Sequence, residues 1–219
     1  SREIKIDVDS GFTPASDVTG LNGAGSITLG AGNDAGFYVN SDNLYIENKT
    51  QDKDVTYLNI DISSNPDIHS SADKIPVEDF YYDCVIATEL LEYISDPKKV
   101  MGEIHRVTKK NGRVFISVPL LHPIHGDFEF DRLRFTEGYL DNLFKEVGFA
   151  DQEIHIMGSV GSVIFDILKV SFGYAGSSRF RGLASYLLFL FKPFFSLLDR
   201  MTKNHKRFIN TGYFVVLKK

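Results

Sequence analysis

Between a strand-like run ending at Pro119 and a helical pattern beginning at Glu137, the chain reads Leu120-Leu121-His122-Pro123-Ile124-His125-Gly126-Asp127, then Asp131-Arg132-Leu133-Arg134-Phe135-Thr136. Imidazoles, a carboxylate and a guanidinium in one short loop can accept a proton, orient a hydroxyl and hold a polar ligand. His122 and His125 are the candidate base, and Asp131 and Arg134 the candidate substrate contacts. Each histidine taken alone more often hydrogen-bonds its loop into shape, whereas the four residues together weigh evenly for substrate contact. A metal site is not indicated: His122-x-x-His125 lies on no helical pattern and no third ligand is evident. The single cysteine, Cys84, precedes Val85 and Ile86 in a core-like strand, which excludes an internal disulfide and favours a structural thiol over a nucleophile.

The loop must be carried by the stretch before it, Tyr82 to Pro119. Asp83 to Thr88 and Gly112 to Val118 are short apolar runs of strand length. Between them Val100, Ile104 and Val107 recur at spacings of four and three on one helix face, while Lys98, Lys99, Glu103 and Arg106 take the other. Asn111-Gly112 tolerates a left-handed backbone and is expected to end that helix and turn the chain into the second strand. Neither strand alternates polar with apolar, as expected of a parallel sheet covered on both faces. Thr136 is expected to cap a helix from Glu137 to Val147 that packs Tyr139, Leu140, Leu143, Phe144 and Val147 on the sheet and stops at Gly148. Gln152 to Met157 and Gly212 to Leu217 read as the last two strands.

Thr88-Glu89-Leu90-Leu91-Glu92-Tyr93, Asp96-Pro97, Glu103-Ile104-His105-Arg106-Val107 and Lys110-Asn111-Gly112 together resemble the middle of a class I S-adenosylmethionine-dependent methyltransferase, with Tyr93 where that family often has His and Asn111 where it often has Gly. The His122 to Thr136 loop is similar to that of a subgroup associated with polysaccharide and lipopolysaccharide synthesis. The resemblance implies an α/β, Rossmann-like fold with a mostly parallel sheet and an antiparallel last strand, and S-adenosyl-L-methionine as cofactor. It also implies site residues. Asp61, ending the strand Thr56 to Asp61, would accept hydrogen bonds from the ribose hydroxyls, although a strand-end Asp is elsewhere often a turn former. Asp73 would take the adenine amino group, and Thr88 and Glu89 would complete the pocket. Asp7 and Gly11, in Asp7-Val8-Asp9-Ser10-Gly11, would form the glycine turn, where Asp9 replaces the first glycine.

Two segments exceed that plan. Gly20 to Thr50 holds six of the eighteen glycines, and Ile27-Thr28-Leu29, Phe37-Tyr38-Val39 and Leu44-Tyr45-Ile46 read as strands of a small β-meander. Residues 20–54 also resemble a β-repeat of phage structural proteins. The second segment, residues 160–210, separates the last two strands. Within it Leu183 to Leu198 is strongly apolar but only 16 residues long and broken by Lys192-Pro193, too short for the ~20 residues of a spanning helix. From Ile167 to the end there are ten Lys or Arg against one acid, Asp199, although the whole chain is −5. A basic, apolar segment over 179–207 suits an anionic membrane surface, and a helical lid or dimer face is the equal alternative. Nucleic acid is less favoured, because the aromatics are not interleaved with the basic residues.

The length, 219 residues, suits one methyltransferase-like domain with these two insertions, and no signal-peptide pattern opens the sequence. The expected function is methyl transfer from S-adenosylmethionine to a hydroxyl of a glycan or glycolipid precursor or another small acceptor. The expected location is cytoplasmic, peripheral at the membrane if the tail binds lipid, and a homo-oligomer is allowed. The alternative is a non-catalytic, phage-related structural or attachment module, for which Asp9 and the β-meander both speak.

Overall fold

A computed structural model describes residues 25–29, 35–40, 43–48, 56–124, 129–174 and 187–219. Strands β1 (Gly25–Leu29), β2 (Ala35–Asn40) and β3 (Asn43–Asn48) form a three-stranded antiparallel meander, in register Ile27 to Phe37 and Phe37 to Ile46. The expected meander is therefore present, at the expected places. Asp7 and Gly11 lie outside the described residues.

Strands β4 (Leu58–Asn59) and β5 (Ile68–His69) make a short parallel pair. The main sheet contains β6 (Tyr82–Thr88), β7 (Thr108–Pro119), β8 (Asp151–Met157) and β9 (Gly212–Lys218), in the order β6-β7-β9-β8. β6 runs parallel to β7, and β9 lies antiparallel between β7 and β8, so only the last strand reverses direction. This is the mixed, mostly parallel α/β sheet expected.

Helix α1 (Pro97–Val107) joins β6 to β7. Asp96 caps it by accepting from Lys99 N–H, Pro97 starts it where no intrahelical donor is needed, and Val100, Met101, Ile104 and Val107 are buried beneath it. The helix ends at Val107, four residues before Asn111, because Thr108 enters the sheet opposite Tyr82 while its hydroxyl still donates to the Ile104 carbonyl. Asn111 nevertheless adopts the left-handed backbone, φ 62°, within a bulge that moves the pairing from Tyr82 with Thr108 to Cys84 with Arg113. Asn111 N–H donates to the Lys219 carbonyl and Lys219 N–H to the Gly112 carbonyl, so the bulge is tied to the end of β9.

Helix α2 (Glu137–Val147) begins at the Thr136 cap and ends on Gly148 with φ 103°. Leu140, Leu143 and Phe144 enter the core with Ile104, Ile116 and Val215. Tyr139 does not: it is 47% exposed and rests against the Phe135 ring, because its position lies one residue off the buried stripe. Burial pushes the Cys84 thiol up to about 11, consistent with an inert structural cysteine.

Between β8 and β9 the chain forms α3 (Val160–Tyr174) and α4 (Lys192–Met201). Ser162 donates from its N–H to Asp199, and Ser159 meets Thr202 at 3.0 Å, while Phe165 packs on Phe195 and Leu188, so the two helices run antiparallel. A Cβ at Gly161 would stand 2.1 Å from the Phe195 carbonyl oxygen, which is why the backbones approach so closely there. Among the described residues no helix is long and apolar enough to cross a membrane.

Candidate functional site

The chemistry-bearing residues gather where β6 and β7 end, the edge at which open α/β sheets place their ligands. β6 closes on Thr88, and Glu89 turns the chain away in a left-handed conformation, φ 48°. A non-glycine residue there is strained and needs compensation. Glu89 N–H donates to the Ser117 carbonyl at 3.0 Å, and the Ser117 hydroxyl donates to the Glu89 carboxylate at 2.8 Å, which locks the turn onto β7. Thr88 Oγ1 is buried and makes no hydrogen bond among the described residues.

The next turn, Leu91–Tyr93, buries Glu92 completely. Its backbone carbonyl accepts from the N–H groups of Arg132 and Leu133, at 3.0 and 3.1 Å, and so anchors the loop that follows β7. Burial, reinforced by the neighbouring Glu89 charge, pushes the Glu92 carboxyl up to about 9. Glu92 is therefore a neutral acid at pH 7. Flanking that anchor, Asp131 is buried and Arg134 grips its carboxylate with both terminal nitrogens, Nη2 at 2.8 Å. The same guanidinium donates to the Leu133 carbonyl at 2.8 Å and to the His122 carbonyl at 3.4 Å. Asp131 and Arg134 thus share one ion pair, and through it they fix the backbone of His122.

The His122 ring is half-buried. Its Nδ1 is 3.0 Å from the Pro123 carbonyl, and its Nε2 is 4.0 Å from Asp166 Oδ2 on α3. His125 lies outside the described residues. Among the described residues no group of three His, Cys, Asp or Glu could hold a metal ion.

Asp61 lies just beyond β4 of the two-stranded sheet, and Asp73 follows β5 and reaches α1. Asp61 is exposed just beyond β4 and accepts from Ser63 N–H at 2.8 Å and from the Ser63 hydroxyl at 2.7 Å, capping the turn Ile62–Ser64. Those bonds hold its carboxyl below its ordinary range, so it is an anion at neutral pH. Asp73 is lowered by its bond from Lys99 Nζ at 2.7 Å. The structure therefore joins Glu89, Asp131, Arg134 and His122 into one connected loop system, while Asp61 and Asp73 each have their own local partners. Glu92, Ser117 and Asp166 were not singled out by sequence. Glu92 stood in the recognised Thr88 to Tyr93 run, but nothing in that run announces total burial, and Ser117 and Asp166 belong to no motif.

A cofactor with hydroxyl, amino and charged groups fits this donor set. Thr88 offers an unsatisfied hydroxyl at the end of β6, and the charged Asp61 and Asp73 offer acceptors.

The family described as "Methyltransferase domain" matches residues 36–116, from within β2 to within β7. Among curated proteins, none matches the chain. Solved structures resemble it at low identity. A S-adenosylmethionine-dependent methyltransferase from Archaeoglobus fulgidus is 14% identical, over 74% of this chain and 74% of the other, with a TM-score of 0.45. Phosphoethanolamine N-methyltransferase 2 of Haemonchus contortus, in complex with S-adenosyl-L-methionine, is 16% identical over 68% of this chain and 36% of that one, with a TM-score of 0.41. A S-adenosylmethionine-dependent methyltransferase of Thermotoga maritima, described as a possible histamine N-methyltransferase, is 17% identical over 39% and 46%, with a TM-score of 0.34. The chain spans roughly a third to a half of the length of the last two. The matched span takes in β6, α1 and most of β7, the strand, helix and strand that lead into the site, so it is this stretch of the chain that is similar to a methyltransferase domain.

Proposed function

We propose that the chain methylates a hydroxyl of a glycan or glycolipid precursor, with S-adenosylmethionine as donor, as one domain carrying insertions at 20–54 and 160–210. The observation that carries this reading is the loop after β7, anchored on the Glu92 carbonyl by the N–H groups of Arg132 and Leu133 and tied by the Asp131-bound Arg134 to the His122 carbonyl, beside the end of the sheet. When bound, the cofactor supplies an electrophilic methyl group on a sulfonium sulfur. Thr88, Asp61 and Asp73 bind it; His122 or His125 takes the proton of the acceptor hydroxyl; and positioning supplies most of the rate. A glycan acceptor is supported by the likeness of the His122 to Thr136 loop to the polysaccharide subgroup. Calorimetric titration of the chain with S-adenosylmethionine is expected to give saturable heat, and Asp61→Ala is expected to weaken binding at least tenfold, about 1.4 kcal/mol. An unchanged affinity would remove Asp61 from the site.

The second reading is a non-catalytic attachment module, favoured by Asp9 in the glycine turn and by the β1–β3 meander with its likeness to phage repeats. It requires that the titration give neither heat nor thermal shift.

A cytoplasmic protein held peripherally at the membrane is supported by α4. Its inner face buries Phe195, while Phe191, Phe194, Leu197 and Met201 point outward and are more than half exposed. Arg200 and Lys203 border this apolar face, a pairing suited to anionic lipid and equally open to a second copy of the chain. The chain is expected to float with vesicles containing phosphatidylglycerol and to stay behind with pure phosphatidylcholine. Phe191→Asp with Phe194→Asp should abolish flotation, and retained flotation would sink the membrane reading.

A further inference from the structure

We infer that Asp166, on the inserted helix α3, is the positioning residue of His122, holding the ring beside a buried carboxylate so that Nε2 receives and keeps the acceptor's proton. The inference rests on the reading of His122 as base. Asp166 is only 2% exposed, and its Oδ2 makes no hydrogen bond among the described residues although it lies 4.0 Å from His122 Nε2. Buried carboxylate oxygens nearly always have a partner, so one left without a hydrogen bond beside an imidazole in a ligand loop marks a functional arrangement.

The ring's other nitrogen fixes the sense of the pair. The Pro123 carbonyl 3.0 Å from Nδ1 can only accept, so Nδ1 is the donor there and Nε2 is the nitrogen on the Asp166 side. At 4.0 Å the two groups are within ion-pair distance and are not hydrogen-bonded to each other. In the reaction, the hydroxyl O–H bond breaks with its proton passing to Nε2. The hydroxyl oxygen bonds to the methyl carbon as the carbon–sulfur bond of the donor breaks, and that electron pair stays on sulfur. The imidazolium so formed lies against Asp166.

Rigid packing supports this role. α3 leaves β8 through Gly158, φ 61°, and is held by Ser159 to Thr202 and by Ser162 to Asp199. The charged groups facing Asp166 are Lys169 on its own helix, Asp199 on α4 and His122 from the loop. Burial, opposed by Lys169 and reinforced by Asp199, raises the Asp166 carboxyl to about 7. The insertion between β8 and β9 thereby contributes a group to the site.

The test is an NMR titration of the full chain, following the His122 ring and the Asp166 carboxyl carbon. In the wild type both signals are expected to move with shared midpoints; independent midpoints would overturn the inference without any variant. Asp166→Asn should lower the His122 midpoint by about one unit, a tenfold loss of proton affinity, and leave the other histidines in place. Asp166→Glu should largely restore it. An unmoved His122 midpoint in folded Asp166→Asn overturns the inference. Because this readout needs no cofactor, a chain that shows coupled titration but no heat with S-adenosylmethionine fails the methyltransferase reading, not this one.

Discussion

Arg134→Met is expected to cost about 3–5 kcal/mol of folding stability, because it removes the guanidinium partner of a buried carboxylate. The Asp131 side chain is fully enclosed, and Arg134 answers both of its oxygens. Methionine fills a similar volume but offers no donor, so the buried carboxylate loses the two hydrogen bonds that Arg134 supplies. The loss extends beyond the pair, since the same guanidinium ties the Leu133 and His122 carbonyls. Urea unfolding followed by circular dichroism gives the measurement. Arg134→Lys should fall between the wild type and Met, because a lysine ammonium keeps the charge but cannot reproduce the planar fork. The double variant Asp131→Asn with Arg134→Met should recover part of the loss by removing the buried carboxylate. A cost below about 1 kcal/mol for Arg134→Met would mean that water reaches Asp131 and that the pair behaves like a surface bridge.

The contrast between what sequence reveals and what it conceals is physical. Asp96-Pro97 and Thr136 cap helices through contacts within three residues, so their meaning travels with the local sequence, and α1 and α2 begin where those residues stand. Asn111 keeps its left-handed backbone for the same local reason, yet the helix ends earlier, because pairing of Thr108 with Tyr82 across the sheet overrides the turn signal. The meander was visible because strands and glycine-rich turns alternate over short distances. The acid partners of the site were not visible. Asp166 meets His122 across 44 positions of sequence, on a helix whose own pattern says only that it is apolar. Asp131 and Arg134 were legible as two charged residues in one loop, but their mutual capture is a property of the folded loop. Asp61 carries both of its sequence readings at once: it caps a turn, and it remains an exposed anion at a strand end.

Glu92→Gln is expected to make the chain more stable at neutral and alkaline pH, the unusual direction for a change at a fully buried site. Glu92 carries a carboxyl whose ordinary value, 4.5, rises to about 9 in the folded chain, chiefly through burial and then through Glu89. A raised value in the folded state means that the folded chain binds the proton more tightly than the unfolded chain does. The stabilisation this gives is complete below pH 4.5, declines as pH rises through the interval, and is gone by about pH 9. At pH 7 the folded chain must keep protonated a group that the unfolded chain would ionise, a penalty on the order of 3 kcal/mol. Glutamine has the same shape and no proton to lose, so the penalty should vanish and the pH slope with it. The loop anchor should survive, because Arg132 and Leu133 donate to the backbone carbonyl of residue 92 and not to its side chain. Urea midpoints of both proteins at pH 5, 7 and 8.5 would show the wild type falling away from the variant as pH rises. Parallel curves would mean that Glu92 ionises normally in the folded chain. If the variant is more stable and still binds S-adenosylmethionine but transfers methyl poorly, the acid is retained for what it does in the reaction, as expected where stability is given up at a working site.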